Sequence, residues 1–157
     1  MIYRLQSKDH IISTYSSIDD KIKELIQFLK IGIENNETTL LLLSIDIQES
    51  YLQSQMALHG LDMSKLQNNG LLIMDLGEDW YLSFDHKDKK KIATIDNEKV
   101  IENWNNLIKQ SIDNGRKGLR MFSMLDVSLN IILIDELIDY ECVCSPKYNK
   151  PLLGLCL

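Results

Sequence analysis

The chain has 157 residues, of which 45% are hydrophobic and 25% charged, with two prolines and seven glycines. That composition fits one globular domain, residues 1–157, and excludes a collagen-like, linker-like or disordered chain. A net charge of −6 argues against broad nucleic-acid binding by this segment, which needs a basic face. The longest apolar run, Leu40 to Leu43, is far shorter than the roughly 20 residues of a membrane span.

The first predicted strand runs from His10 to Tyr15 and is rich in β-branched residues. Ser17 is a candidate N-cap, with Asp19 and Asp20 in the first helical turn, where acids suit the dipole. Ile18, Ile22, Leu25, Ile26, Leu29 and Ile33 then recur at helical spacing until Asn35-Asn36. Thr38 to Ile45 is almost continuously apolar, as in a strand covered on both faces. A second helix is expected over Asp46 to His59, ended by Gly60, and a third strand over Leu71 to Leu76, closed by Gly77.

Glu78 to Thr94 is polar, with four lysines, and reads as an irregular surface excursion. Asp96 can cap a third helix carrying Val100, Ile101, Trp104, Leu107, Ile108 and Ile112. A fourth strand is expected over Leu119 to Leu125, a fourth helix over about Leu129 to Tyr140, and a fifth strand over Leu152 to Leu157. Alternating strands and helices imply a three-layer α/β sandwich: a mostly parallel central sheet of five or more strands, with helices on both faces. The last strand reaches the final residue with no polar tail, so the chain either ends there naturally or has been cut from a longer signalling protein. Met1 to His10 lacks an apolar signal core, so a cytoplasmic location with reduced Cys142, Cys144 and Cys156 is expected.

Ligands of open parallel sheets bind beyond the carboxyl ends of the strands. Here those ends carry Tyr15, Asp46, Asp75 and Leu125-Asp126. Asp75 follows Leu-Leu-Ile-Met, like the metal-binding acid of a nucleotide hydrolase, or it is a strand-end acid capping a turn. No phosphate-loop sequence occurs, and the turn after the first strand, Ser16 to Asp20, has acids where phosphates would sit. No nucleophile elbow occurs either. Cys142-x-Cys144 is short of the four ligands of a structural zinc site, and no cofactor is implied. His10 opens its strand as either a ligand contact or a structural histidine; His59 suits a helix end, and His86 lies among lysines. Arg120 lies in an apolar strand and needs a partner such as Glu141, as a structural ion pair or as part of an anion site. Trp80, Tyr81 and Phe84 either pin the excursion or line a pocket.

A series of short motifs spans nearly the whole chain. It runs His10 to Tyr15, Phe28-x-x-x-Gly32, Asn36-Glu37, Gly60-Leu61, Gly70, Tyr81-Leu82, Phe84-Asp85, Gly118-Leu119-Arg120, Tyr140-Glu141 and Leu155-Cys156. In this order the motifs resemble the MEDS family, the sensory domain of DcmR and related proteins of methanogens and methylotrophs. The resemblance implies a RecA/KaiC-like fold without a phosphate loop. It also implies sensing of small molecules, such as simple hydrocarbon derivatives, and a DNA-binding or histidine-kinase partner. It singles out His10, Tyr15, Arg120, Glu141 and Cys156. Family members often carry Gly-Glu-Met soon after the arginine strand begins, but this chain has Met121-Phe122-Ser123-Met124 and lacks that acid.

The expectation is a non-enzymatic sensory domain whose ligand touches His10, Tyr15, Asp75, Tyr81, Arg120, Glu141 and Cys156. The alternatives are a degenerate ATPase-like scaffold acting through protein contacts, as a homodimer or docking module, and an enzyme using Cys156 and His10.

Overall fold

The computed structural model describes residues 10–12, 15–44, 47–84, 93–124 and 152–156. In chain order the elements are β1 (His10–Ile12), α1 (Ile18–Glu34), β2 (Thr38–Leu43), α2 (Glu49–Leu58), α3 (Met63–Asn68) and β3 (Leu72–Leu76). They continue with α4 (Gly77–Tyr81), β4 (Leu82–Phe84), β5 (Ala93–Ile95), α5 (Asn97–Asp113), β6 (Leu119–Ser123) and β7 (Leu152–Cys156). The expected helix over Leu129 to Tyr140, and Asp46, His86, Glu141, Cys142 and Cys144, lie outside the described residues.

The main sheet is parallel, with the order β1-β7-β6-β2-β3. Alternation along its central strands sends side chains to two apolar layers. Leu41, Leu43, Phe122 and Met124 pack under α1, α2 and α3, while Leu40, Leu42, Leu119 and Met121 pack under α4 and α5. This explains why β2 is buried at all six positions and reads as an unbroken apolar run.

Local chemistry sets the helix limits. Ser17 Oγ accepts the Asp20 N–H at the start of α1, and Asp96 accepts the Lys99 N–H at the start of α5, caps worth about 1 kcal/mol each. α1 buries Ile22, Leu25, Ile26, Phe28 and Leu29, each contributing about 1.5–3 kcal/mol. Asn36 ends it in the left-handed region, at φ 58°, which asparagine tolerates better than most residues.

The C-terminal ends of α1, α3 and α5 meet at the amino end of the sheet around Arg116. Its Nη1 donates to Asn36 Oδ1 at 2.6 Å, and its Nη2 donates to the Asn69 carbonyl at 2.8 Å. Asn36 Nδ2 donates in turn to the Gly115 carbonyl. A guanidinium among three helix C-termini is electrostatically favourable, because those ends carry partial negative charge.

One expectation is corrected and one element is added. The stretch from Glu78 is not wholly irregular: α4 follows β3 directly, and β4 and β5 form an antiparallel pair. The segment between Gly60 and Gly70 holds α3, capped by Asp62, whose side chain accepts the Lys65 N–H. Most other boundaries fall within a few residues of expectation, with β2 and β6 shorter at their carboxyl ends and α2 starting at Glu49. No helix among the described residues is long and apolar enough to cross a membrane.

Candidate ligand site

The register of the sheet sorts the candidate residues by row. Across the carboxyl end, Ile12 pairs with Cys156, Cys156 with Ser123, Ser123 with Leu42 and Leu42 with Asp75. Two positions earlier, His10 pairs with Gly154, Gly154 with Met121, Met121 with Leu40 and Leu40 with Ile73. Leu40, Leu42 and Met121 belong to the layer under α4 and α5, so both rows have the parity of that face. His10 and Cys156 are therefore strand positions on neighbouring strands, two register steps apart. With a rise of about 3.3 Å per residue and strands about 4.8 Å apart, their backbones are roughly 8 Å apart.

Ser123 is fully buried, and its hydroxyl has no hydrogen-bond partner among the described residues. A buried hydroxyl of this kind costs about 1–3 kcal/mol. Beside it, Tyr81 is 1% exposed and its hydroxyl lies 3.8 Å from Met121 Sδ. The Trp80 ring packs at a 40° tilt against Trp104, with ring centroids 4.8 Å apart. Trp80 and Tyr81 thus tie α4 to the body of the protein, and Trp80 also lines a cleft.

Asp75 stands at the open edge of the sheet. Its Oδ2 accepts the Trp80 indole N–H at 2.8 Å, and its Oδ1 accepts the Leu76 N–H at 2.9 Å. These bonds make it the acid that fixes the β3–α4 turn. It also borders a cleft of about 310 Å³ lined by Asp75, Asp79, Trp80, Asn103, Asn106 and Leu107. Tyr15 follows β1 and is half-buried.

Arg120 belongs to a different part of the protein. It pairs with Thr39 at the amino end of β6, on the α1 face, and three register steps separate it from Cys156. Its side chain is almost completely buried, and its Nε donates to Glu37 Oε2 at 2.7 Å. The guanidinium carbon lies 4.6 Å above the Phe28 ring, a cation–π arrangement. Gly32 lets it pass: a Cβ there would lie 2.7 Å from Thr39 Oγ1 and 3.0 Å from Arg120 Cδ. Among the described residues its carboxylate partner is Glu37; Glu141, the candidate from the sequence, lies outside them. Phe28, Gly32, Glu37 and Arg120, scattered over three motifs, form one closely packed ion-pair node that joins α1 to the sheet.

Ser123 and the Asp75 cleft extend the candidate set. Ser123 was hidden in the sequence because a serine in a strand carries no signal of its own.

Comparison with the curated proteins returns no match. The sequence matches the family described as the methanogen/methylotroph, DcmR sensory domain over residues 9–157, which contain every element of the fold. The chain belongs to the MEDS family of sensory domains.

Proposed function

We propose that the protein is a non-enzymatic cytoplasmic sensor with a RecA/KaiC-like core. It binds a small molecule at the carboxyl end of the sheet, on the face under α4 and α5. The observation that carries this reading is the fully buried Ser123 hydroxyl, which has no partner among the described residues. It lies in register with Cys156 and in the same row as Asp75. A polar atom inside an apolar layer, next to a Tyr81–Met121 contact, suits a mostly apolar ligand with one hydrogen-bonding group. His10, Tyr81 and Cys156 are the residues assigned to contact it. Arg120 holds α1 in place for the signal that passes to a DNA-binding or histidine-kinase partner.

A thermal-shift screen against small metabolites, nucleotides and divalent metals tests the reading. A ligand at one hundred times its Kd adds about 2.7 kcal/mol. Ser123→Ala removes an unsatisfied hydroxyl, so the free protein keeps or gains stability while the ligand-induced gain falls. Equal ligand-induced gains in the two proteins would count against the site.

A further inference from the structure

The strand order places β3 on one side of β2 and the later β6 on the other. The chain therefore reverses direction between β2 and β6, and the crevice at the carboxyl ends of such a pair is where open parallel sheets take their ligands. Here the first residue of α4 sits at that point. A Cβ on Gly77 would lie 3.5 Å from the Met124 carbonyl oxygen and 3.6 Å from that of Leu43. At the other end of α4, the Tyr81 hydroxyl lies 3.8 Å from Met121 Sδ. Met121 and Met124 flank Ser123 along β6, and Ser123 shares the face of Met121. The helix therefore crosses β6 over the enclosed Ser123 hydroxyl.

We propose that α4 is a gate over the Ser123 site, latched by the Asp75–Trp80 hydrogen bond. This inference rests on the ligand-site reading above and concerns how a ligand gets in. Ser123 is 0% exposed, so a ligand reaches its hydroxyl only when part of the cover moves, and such covers are drawn from the least stable elements. α4 has five residues, less than two turns, and joins β3 directly at Gly77. The Asp75 carboxylate spans that joint: Oδ1 accepts the Leu76 N–H just before it, and Oδ2 accepts the Trp80 indole N–H beyond it, at 2.8 Å. Trp80 in turn packs against Trp104 of α5. Breaking the Asp75–Trp80 bond frees the far end of α4 to lift about Gly77, and the Trp80–Trp104 contact carries that movement to α5. Asp75 is then a positioning residue that holds the gate rather than a ligand contact.

The test measures opening without a ligand. Ser123→Cys, in the full chain, places a thiol at the enclosed position, and Met56→Cys places one in the opposite layer, where Met56 is equally buried. Alkylation by iodoacetamide is followed at each site by tandem mass spectrometry. Trp80→Phe keeps an aromatic ring against Trp104 and removes the indole donor; Asp75→Asn, at an exposed position, weakens the same bond from its other end. Each should speed alkylation at position 123 about tenfold, the lower end for a bond to a charged acceptor, and leave the rate at position 56 unchanged. The two together should add little to either alone, because they remove one interaction. No acceleration at position 123 would overturn the gate, and so would equal acceleration at both positions, which reports global unfolding. If opening is confined to position 123 but no compound in the thermal-shift screen stabilises the protein, the ligand-site reading fails and the gate stands. If a compound gives Ser123-dependent stabilisation while Trp80→Phe leaves alkylation unchanged, the gate fails alone.

Discussion

Glu37→Ala is the most informative single change to the fold. Arg120 is 1% exposed, and Glu37 Oε2, 2.7 Å from Nε, is the carboxylate that balances it among the described residues. Removing that partner leaves a positive charge among Phe28, Gly32 and Thr39. Breaking a buried pair from one side costs about 3–5 kcal/mol. The Glu37 side chain is 17% exposed, so water can partly replace it, and a loss near 3 kcal/mol is expected. Glu37→Gln keeps a neutral acceptor and should lose less, about 1–2 kcal/mol. Adding Arg120→Met to Glu37→Ala should restore much of the loss, because an apolar replacement of a buried pair is often neutral. Urea unfolding of the four proteins, with the slope compared to exclude altered denatured states, measures all of this. A Glu37→Ala loss below about 0.5 kcal/mol would place it among ordinary surface substitutions and refute the node. So would a further loss on adding Arg120→Met.

Three other outcomes are expected. Arg116→Ala should cost about 1–3 kcal/mol, because it leaves Asn36 Oδ1 and the Asn69 carbonyl without their charged donor; unfolding curves that match wild type would show that the helix ends hold without it. The Tyr51 hydroxyl donates to Asp19 Oδ1 at 2.9 Å, and that bond, with smaller contributions from desolvation and the Asp19 charge, raises its pKa above the usual 10. The favoured form is the neutral phenol, so the stabilisation is complete below the unfolded pKa and is lost as pH rises through the folded one. Ultraviolet titration should show the Tyr51 phenol ionising late, seen as the part of the curve that Asp19→Asn brings earlier. ATP or GTP with magnesium should be neither hydrolysed nor stabilising, since the turn from Ser16 to Asp20 offers acids in place of a phosphate loop; micromolar affinity by calorimetry would contradict this.

Elements that carry their own punctuation were legible in the sequence. α1 announces itself through Ser17, Asp19 and Asp20 followed by a helical apolar stripe, and α5 through Asp96. α3 was missed because its six residues span less than two turns, too short for a period to emerge; the Asp62 cap was its one local cue. α4 was missed because Gly77 reads as a strand stop while tertiary packing of Trp80 on Trp104 decides the turn. The motif residues around Arg120 were visible, but their union was not: Glu37 and Arg120 are 83 positions apart. Ser123 and Asp75 share a row because of strand order, which local pattern does not encode.

Methyl NMR of the methionines gives the most direct test of ligand binding on the face under α4 and α5. Met121 reports on that face beside Tyr81, while Met56 and Met63 lie in the opposite layer and serve as internal controls. With ¹³C-methyl-labelled full chain and the stabilising compounds from the screen, the Met121 methyl should shift saturably, and the Met56 and Met63 methyls should stay within experimental error. A stabilising compound that moves Met56 and Met63 and leaves Met121 unchanged would place the ligand on the α1 face and contradict the account.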